Sequence, residues 1–170
     1  MAERSVDFIA VPMPTLLFSP CSLLKTPVRS SVFPSALMPL SSEFAVPTST
    51  PAPIALFLYH RPQHTLRCLQ SLAANPEFLD SALYLFCDGP KDAGDATVVE
   101  EVRRIARALP HPRKVVIEAR TNRGLAGSVI AGVTQVVQKH GRVVVVEDDL
   151  VLAPTFLAFM NRSLHRYADD

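Results

Sequence analysis

A chain of 170 residues has room for one globular domain. Seventeen Lys and Arg against sixteen Asp and Glu leave a formal charge of +1, so net charge implies neither a nucleic-acid partner nor a membrane surface. Cys21, Cys68 and Cys87 are too few and too unevenly spaced for a disulfide framework or a Cys-rich zinc site, and are expected to be buried or free thiols.

Residues 1–52 differ in kind from the rest. Prolines at 12, 14, 20, 27, 34, 39, 47 and 51, with many Ser and Thr between them, interrupt every apolar piece before it can form a periodic face. The stretch is expected to be a disordered or loosely packed Pro/Ser-rich leader. Glu3, Asp7 and the prolines spoil a secretory signal, and no run approaches the roughly 20 apolar residues of a membrane span. Arg4, Lys25 and Arg29 among serines leave an organellar transit peptide and an overextended gene start as open alternatives to a cytoplasmic chain without a targeting segment.

Order is expected over residues 53–170. Ile54 to Tyr59 has the length and composition of a strand and exits through His60-Arg61-Pro62, where proline forces the preceding residue out of the helical region. A helix follows with Leu66, Leu69, Leu72 and Ala73 on one face, stopped by Asn75-Pro76. A second strand, Ala82 to Cys87, closes on Asp88-Gly89-Pro90. Thr97-Val98-Val99-Glu100 has capping-box spacing, and Val98, Val102, Ile105 and Leu109 continue as a helical stripe. Lys114 to Ala119 is a third strand. Asn122-Arg123-Gly124-Leu125-Ala126-Gly127-Ser128 opens a third helix carrying Leu125, Val129, Val133 and Val136, which ends where Gly141 can adopt a left-handed cap.

The fourth strand carries the chemistry. Arg142 to Leu150 is an apolar run, Val143-Val144-Val145-Val146, that ends in three consecutive carboxylates, Glu147-Asp148-Asp149. Four β-branched residues in a row predict a strand buried on both faces. Three acids against its end repel one another unless a cation sits there, and a hydrated divalent metal with oxygen ligands answers that need. The alternative is a loop that merely begins with solvated acids. Alternating strands and helices predict parallel βαβ units with right-handed crossovers. If the strand order is 3-2-1-4, the switch point falls between the first and fourth strands, and Arg61, Asp88 and Glu147 to Asp149 converge on one crevice.

The run Val144 to Leu150, with Ala153-Pro154 and an aromatic helix from Phe156 to Tyr167, resembles the metal-binding segment of GT-A-fold glycosyltransferases. It is similar in particular to the N-acetylglucosaminyltransferases that start complex N-glycan branches, and to related bacterial proteins. The resemblance implies an α/β, Rossmann-like three-layer sandwich with a mostly parallel sheet. It implies a metal-dependent transferase that binds a nucleotide-diphosphate sugar, a UDP-sugar, for transfer to an acceptor hydroxyl. Asp149 would then ligate Mn²⁺ or Mg²⁺ with Glu147 and Asp148 nearby, and Asp148 would face the ribose. Arg61 and Asp88 would help bind the nucleotide, and Asn122 and Arg123 would line the donor site at a helix start, where free N–H groups favour an anion. A turn role for Asp88 in Asp-Gly-Pro and a packing role for the glycines compete with these assignments.

The same acidic letters open receiver domains of response regulators, but the residues between Asp149 and Asp170 are too few to carry the further strands such a domain needs. Of the five histidines, His60 alone is expected near the crevice, and none has ligand spacing. The resemblance covers residues 53–170, the nucleotide-binding half of a GT-A domain. The acceptor half and the catalytic base are therefore expected to lie outside this stretch, and this chain alone is expected to transfer sugar poorly. The competing expectation is a catalytically inactive nucleotide-binding or interaction module derived from such an enzyme.

Overall fold

The computed structural model describes residues 50–168; expectations for the leader up to residue 49, Cys21 included, lie outside the described residues. Four strands, β1 (Ile54–Leu58), β2 (Leu83–Cys87), β3 (Lys114–Glu118) and β4 (Val144–Glu147), form one parallel sheet in the order β3-β2-β1-β4. They alternate with α1 (Pro62–Ala73), α2 (Ala96–Ala108), α3 (Gly124–His140) and α4 (Phe156–Arg166). This is the Rossmann-like α/β architecture and the strand order expected from the sequence. Among the described residues no helix is long and apolar enough to cross a membrane.

The side-chain alternation of the strands divides the core into two layers. Ile54, Leu56 and Leu58 of β1, with Leu83 and Leu85 of β2 and Val144 and Val146 of β4, face Leu69 and Leu72 of α1, Val102 and Ala106 of α2, and Leu157 of α4. Ala55, Phe57, Tyr84 and Phe86 face the other way, against Val136 of α3. Phe57 and Phe86 stack at 5.1 Å between ring centroids, and Gly132 of α3 lies over them. A Cβ at Gly132 would stand 2.7 Å from Phe57, so the missing side chain is what lets α3 approach the sheet. The close-packing glycine is therefore Gly132, deep in the helix, rather than Gly124 or Gly127 at its start.

The helix faces differ from those expected. In α1 the buried set is Thr65, Cys68, Leu69 and Leu72, while Leu66 is exposed. In α2 it is Val99, Val102 and Ala106, with Val98 only half-buried. Thr97 does not cap α2. That helix starts at Ala96 with Asp95 at the N-cap position, and Asp95 turns its carboxylate to the N–H groups of Lys91 and Asp92. The fourth strand is also shifted one residue past the start of the valine run, to Val144–Glu147, and is not buried on both faces. Val144 and Val146 are buried, but Val145 is 38% exposed and Glu147 is exposed. The cause is that α3 covers the β1 and β2 side of its layer and β4 pairs only with β1 among the described residues.

Polar ties fix the segment after β4. Asn75, 2% exposed, accepts a hydrogen bond at Oδ1 from the Leu157 N–H (3.0 Å), satisfying a first-turn donor of α4 from the connection after α1. Ser71 Oγ accepts from the Leu152 N–H at 3.0 Å. Asn161 accepts from the N–H of Ala52, which is buried although it closes the stretch expected to be loosely packed. Gly141 adopts φ 75° and caps α3 in the left-handed conformation, as expected.

Candidate functional site

A cavity of about 370 Å³ opens at the carboxyl ends of β1, β2 and β4, at the switch point between β1 and β4. Phe57 and Phe86 form part of its floor, and its polar wall includes Arg61, Asp88, Glu147, Asp148 and Asp149. The volume lies within the range of small-molecule sites. Three exits far apart in sequence thus meet at one place because each directly follows a strand of the same parallel sheet.

Arg61 sits at the N-cap position of α1, just ahead of Pro62. Its Nη1 donates to Asp149 Oδ2 at 3.2 Å across the gap between the β1 and β4 exits. Both side chains are about half exposed, 48% and 45%, so the pair adds little to stability. Asp148 has the opposite environment. It is 8% exposed, and its Oδ2 has no hydrogen-bond partner among the described residues. Burial pushes its carboxyl above the usual range, Asp149 adds to that, and the Tyr59 backbone N–H, Arg61 and His64 oppose it. Directly beneath, the Cys68 thiol donates to the Glu147 carbonyl at 3.4 Å. Desolvation, with Asp148 and Asp149, raises that thiol to about 12, so it stays protonated and inert.

Asp88 is 7% exposed, and its Oδ1 accepts from the N–H groups of Gly89 (2.8 Å) and Arg123 (2.9 Å). It therefore fastens the β2 exit to the start of α3 while also lining the cavity. Gly89 is required there, since a Cβ would fall 2.3 Å from the Thr121 carbonyl carbon. Arg103 of α2 completes the tie by donating from Nη2 to the carbonyls of Asp88 (3.3 Å) and Ala119 (2.5 Å).

The Asn122 side chain lines the cavity but is spent locally, its Nδ2 on the Gly89 carbonyl (3.0 Å) and its Oδ1 on the Gly124 N–H (3.1 Å). Arg123 is exposed and lines a smaller neighbouring cavity of about 40 Å³ instead, contributing its N–H to Asp88. The N–H groups of Arg123 and Gly124 at the start of α3 are thus already satisfied by the chain itself, which reduces what that helix start can offer an anion.

Residues not singled out from the sequence complete the cavity. The Tyr59 hydroxyl donates to Asp95 Oδ2, and Lys91 Nζ lies 5.7 Å from the Tyr59 ring centroid. His60 packs against Tyr59 at 4.2 Å and lines the cavity, as expected, although His64 also lies close enough to act on Asp148. Desolvation and then the Asp95 contact raise the Tyr59 phenol to about 12. The cavity is therefore lined by Arg61 and Lys91 as cations and by Asp88, Glu147, Asp148 and Asp149 as anions. An aromatic directly before His60-Arg61, and Lys91 and Asp95 soon after Asp88-Gly89-Pro90, were the available signals.

No ready cage of three or more His, Cys, Asp or Glu ligands occurs among the described residues. The donor set still suits a hard divalent cation that takes most of its ligands from phosphate and water, because Asp149 is accessible and Asp148 Oδ2 is unpartnered. A search of curated proteins found no match to the chain. The family described as Glycosyltransferase like family 2 matches residues 54–169, from the first residue of β1 through α4 and across every residue that lines the cavity, and the chain belongs to that family.

Proposed function

We propose that this domain binds a UDP-sugar at the β1–β4 crevice together with Mn²⁺ or Mg²⁺, as the donor half of transfer to an acceptor hydroxyl. The observation that carries the reading is the placement of Asp148 and Asp149 opposite Arg61 and Lys91 around one cavity of about 370 Å³. A nucleoside diphosphate brings at least two negative charges into a space already holding four carboxylates. Without a cation between them, phosphate and Asp149 would repel. Asp149 would hold a divalent cation, which when bound would neutralise both and supply Lewis-acid stabilisation to the departing diphosphate.

The protein's own residues bind and orient. Arg61 and Lys91, both on the cavity wall, would donate charge-assisted hydrogen bonds to phosphate oxygens. Asp148, recessed and with an open acceptor oxygen, suits a ribose hydroxyl. Phe57 and Phe86 offer an apolar floor, and Asp88 retains Oδ2 for a polar edge of the base. The Tyr59–Asp95 contact holds the connection after β2 against the β1 exit, which keeps Lys91 on the cavity wall.

Calorimetric titration with UDP tests this. Binding is expected with Mn²⁺ present, to vanish with chelator, and to fall at least tenfold in Asp149→Ala, because a charge-assisted contact is worth about 1.5–3 kcal/mol. Binding that ignores both chelator and mutation would overturn the assignment.

A further inference from the structure

The Arg61–Asp149 ion pair stands where two ligands of opposite charge would be received. We propose that Arg61 and Asp149 form an exchange pair: each is the other's counter-ion in the empty site, and occupancy by cation and diphosphate separates them, Asp149 turning to the cation and Arg61 to the phosphates. The inference rests on the donor-site reading above and adds how its two ligands are coupled.

Three observations carry it. The contact is a single hydrogen bond, Nη1 to Oδ2 at 3.2 Å, between side chains that are each about half exposed, so both are free to turn without unpacking the core. A guanidinium has five N–H donors and only this one is engaged among the described residues, so Arg61 has unused capacity facing the same cavity. Beside the pair, Asp148 Oδ2 is buried, unpartnered among the described residues and part of the cavity wall, so the acidic corner keeps an open acceptor even with Arg61 in place.

The consequence is a coupling with an unusual sign. A cation arriving alone must displace Arg61 from Asp149, and a diphosphate arriving alone must draw Arg61 away and leave Asp149 bare. When both arrive, the pair is broken once and each partner is satisfied, so the two bind cooperatively. Removing the arginine charge therefore has opposite effects on the two ligands. Asp149 is released for the cation, while the diphosphate loses a contact.

The test measures Mn²⁺ alone by electron paramagnetic resonance, and UDP at saturating Mn²⁺ by calorimetry, in the wild-type chain, in Arg61→Met and in Arg67→Met. Arg67 is exposed on α1 but does not line the cavity, so it controls for the loss of one positive charge from the same helix. Arg61 makes no side-chain cap to α1, so Arg61→Met should fold, and circular dichroism verifies this. The expected result is Mn²⁺ binding roughly two- to fivefold tighter in Arg61→Met, matching release of a half-exposed ion pair, with UDP binding about tenfold weaker or more. Arg67→Met should match wild type in both. Mn²⁺ affinity unchanged or weakened in Arg61→Met, while UDP binding stays metal-dependent, would overturn the exchange and leave the donor-site reading standing. If wild type binds neither Mn²⁺ nor UDP, the donor-site reading falls and the exchange falls with it.

Discussion

Replacing Asn75 by alanine probes how the acidic corner is held in place. Asn75 stands just past the end of α1, is 2% exposed, and bonds both ways: Oδ1 receives the Leu157 N–H at 3.0 Å, and Nδ2 donates to the Ser71 carbonyl at 3.1 Å. Leu157 is fully buried, so its N–H gains no water when the acceptor is removed. A buried donor left without a partner costs about 1–3 kcal/mol, and the Ser71 contact adds a smaller loss. The expected destabilisation of Asn75→Ala is therefore about 2–3 kcal/mol, measured as a lower urea midpoint at unchanged slope in far-ultraviolet circular dichroism. Asn75→Asp keeps an acceptor for the Leu157 N–H but turns a carboxylate oxygen toward the Ser71 carbonyl in a buried site, and should therefore not restore wild-type stability. A change below about 0.5 kcal/mol in Asn75→Ala, within the range of ordinary surface substitutions, would refute the reasoning.

Lys114 donates from Nζ to the carbonyls of Ala106 (3.1 Å), Arg107 (2.6 Å) and Leu109 (2.6 Å), closing the carboxyl end of α2 from β3. Lys114→Met keeps the stem and should lower stability by about 1–2 kcal/mol, discounted for partial exposure; an unchanged urea midpoint would contradict the cap. Asp95 is held below the usual carboxylate range, first by the Tyr59 hydroxyl and then by the backbone N–H groups of Lys91 and Asp92. A depressed carboxyl stabilises the fold above its ordinary value and loses that contribution as pH falls through the lowered one. In Tyr59→Phe the slope of unfolding free energy against pH should therefore be shallower below about pH 4; superimposable acid limbs would show that the hydroxyl does not act on Asp95.

The order of elements and the meeting of Arg61, Asp88 and Asp149 were legible in the sequence. Short apolar runs bounded by proline, glycine and acids mark strands, and the positions just after them lie at one end of a parallel sheet. The phase of each helix was not legible. In α1 both the Leu66 and the Cys68 registers bring Leu69 and Leu72 inward, and the choice falls to the register that buries Thr65 and Cys68, in which Cys68 lies beneath the β4 exit and reaches the Glu147 carbonyl. Nor could a row of valines report that α3 leaves Val145 half open, since cover on the second face depends on a helix elsewhere in the chain. At the site, charges abutting buried strands gave themselves away. Tyr59, Lys91 and Asp95 did not, because their roles arise only when the connection after β2 folds back on the β1 exit. Asn122 shows the reverse case, a residue of the expected type whose amide is engaged by its own loop.

The account's central claim is that cation and nucleotide share the crevice between β1 and β4, and paramagnetic broadening of the domain's amide resonances by Mn²⁺ in the presence of UDP tests it most directly. The expected result is selective loss of the signals of Tyr59 to Arg61 and Glu147 to Leu150, with weaker effects at Asp88 and Lys91, all abolished in Asp149→Ala and absent with Mg²⁺ in place of Mn²⁺. Broadening centred elsewhere in the domain, or retained at full strength in Asp149→Ala, would contradict it.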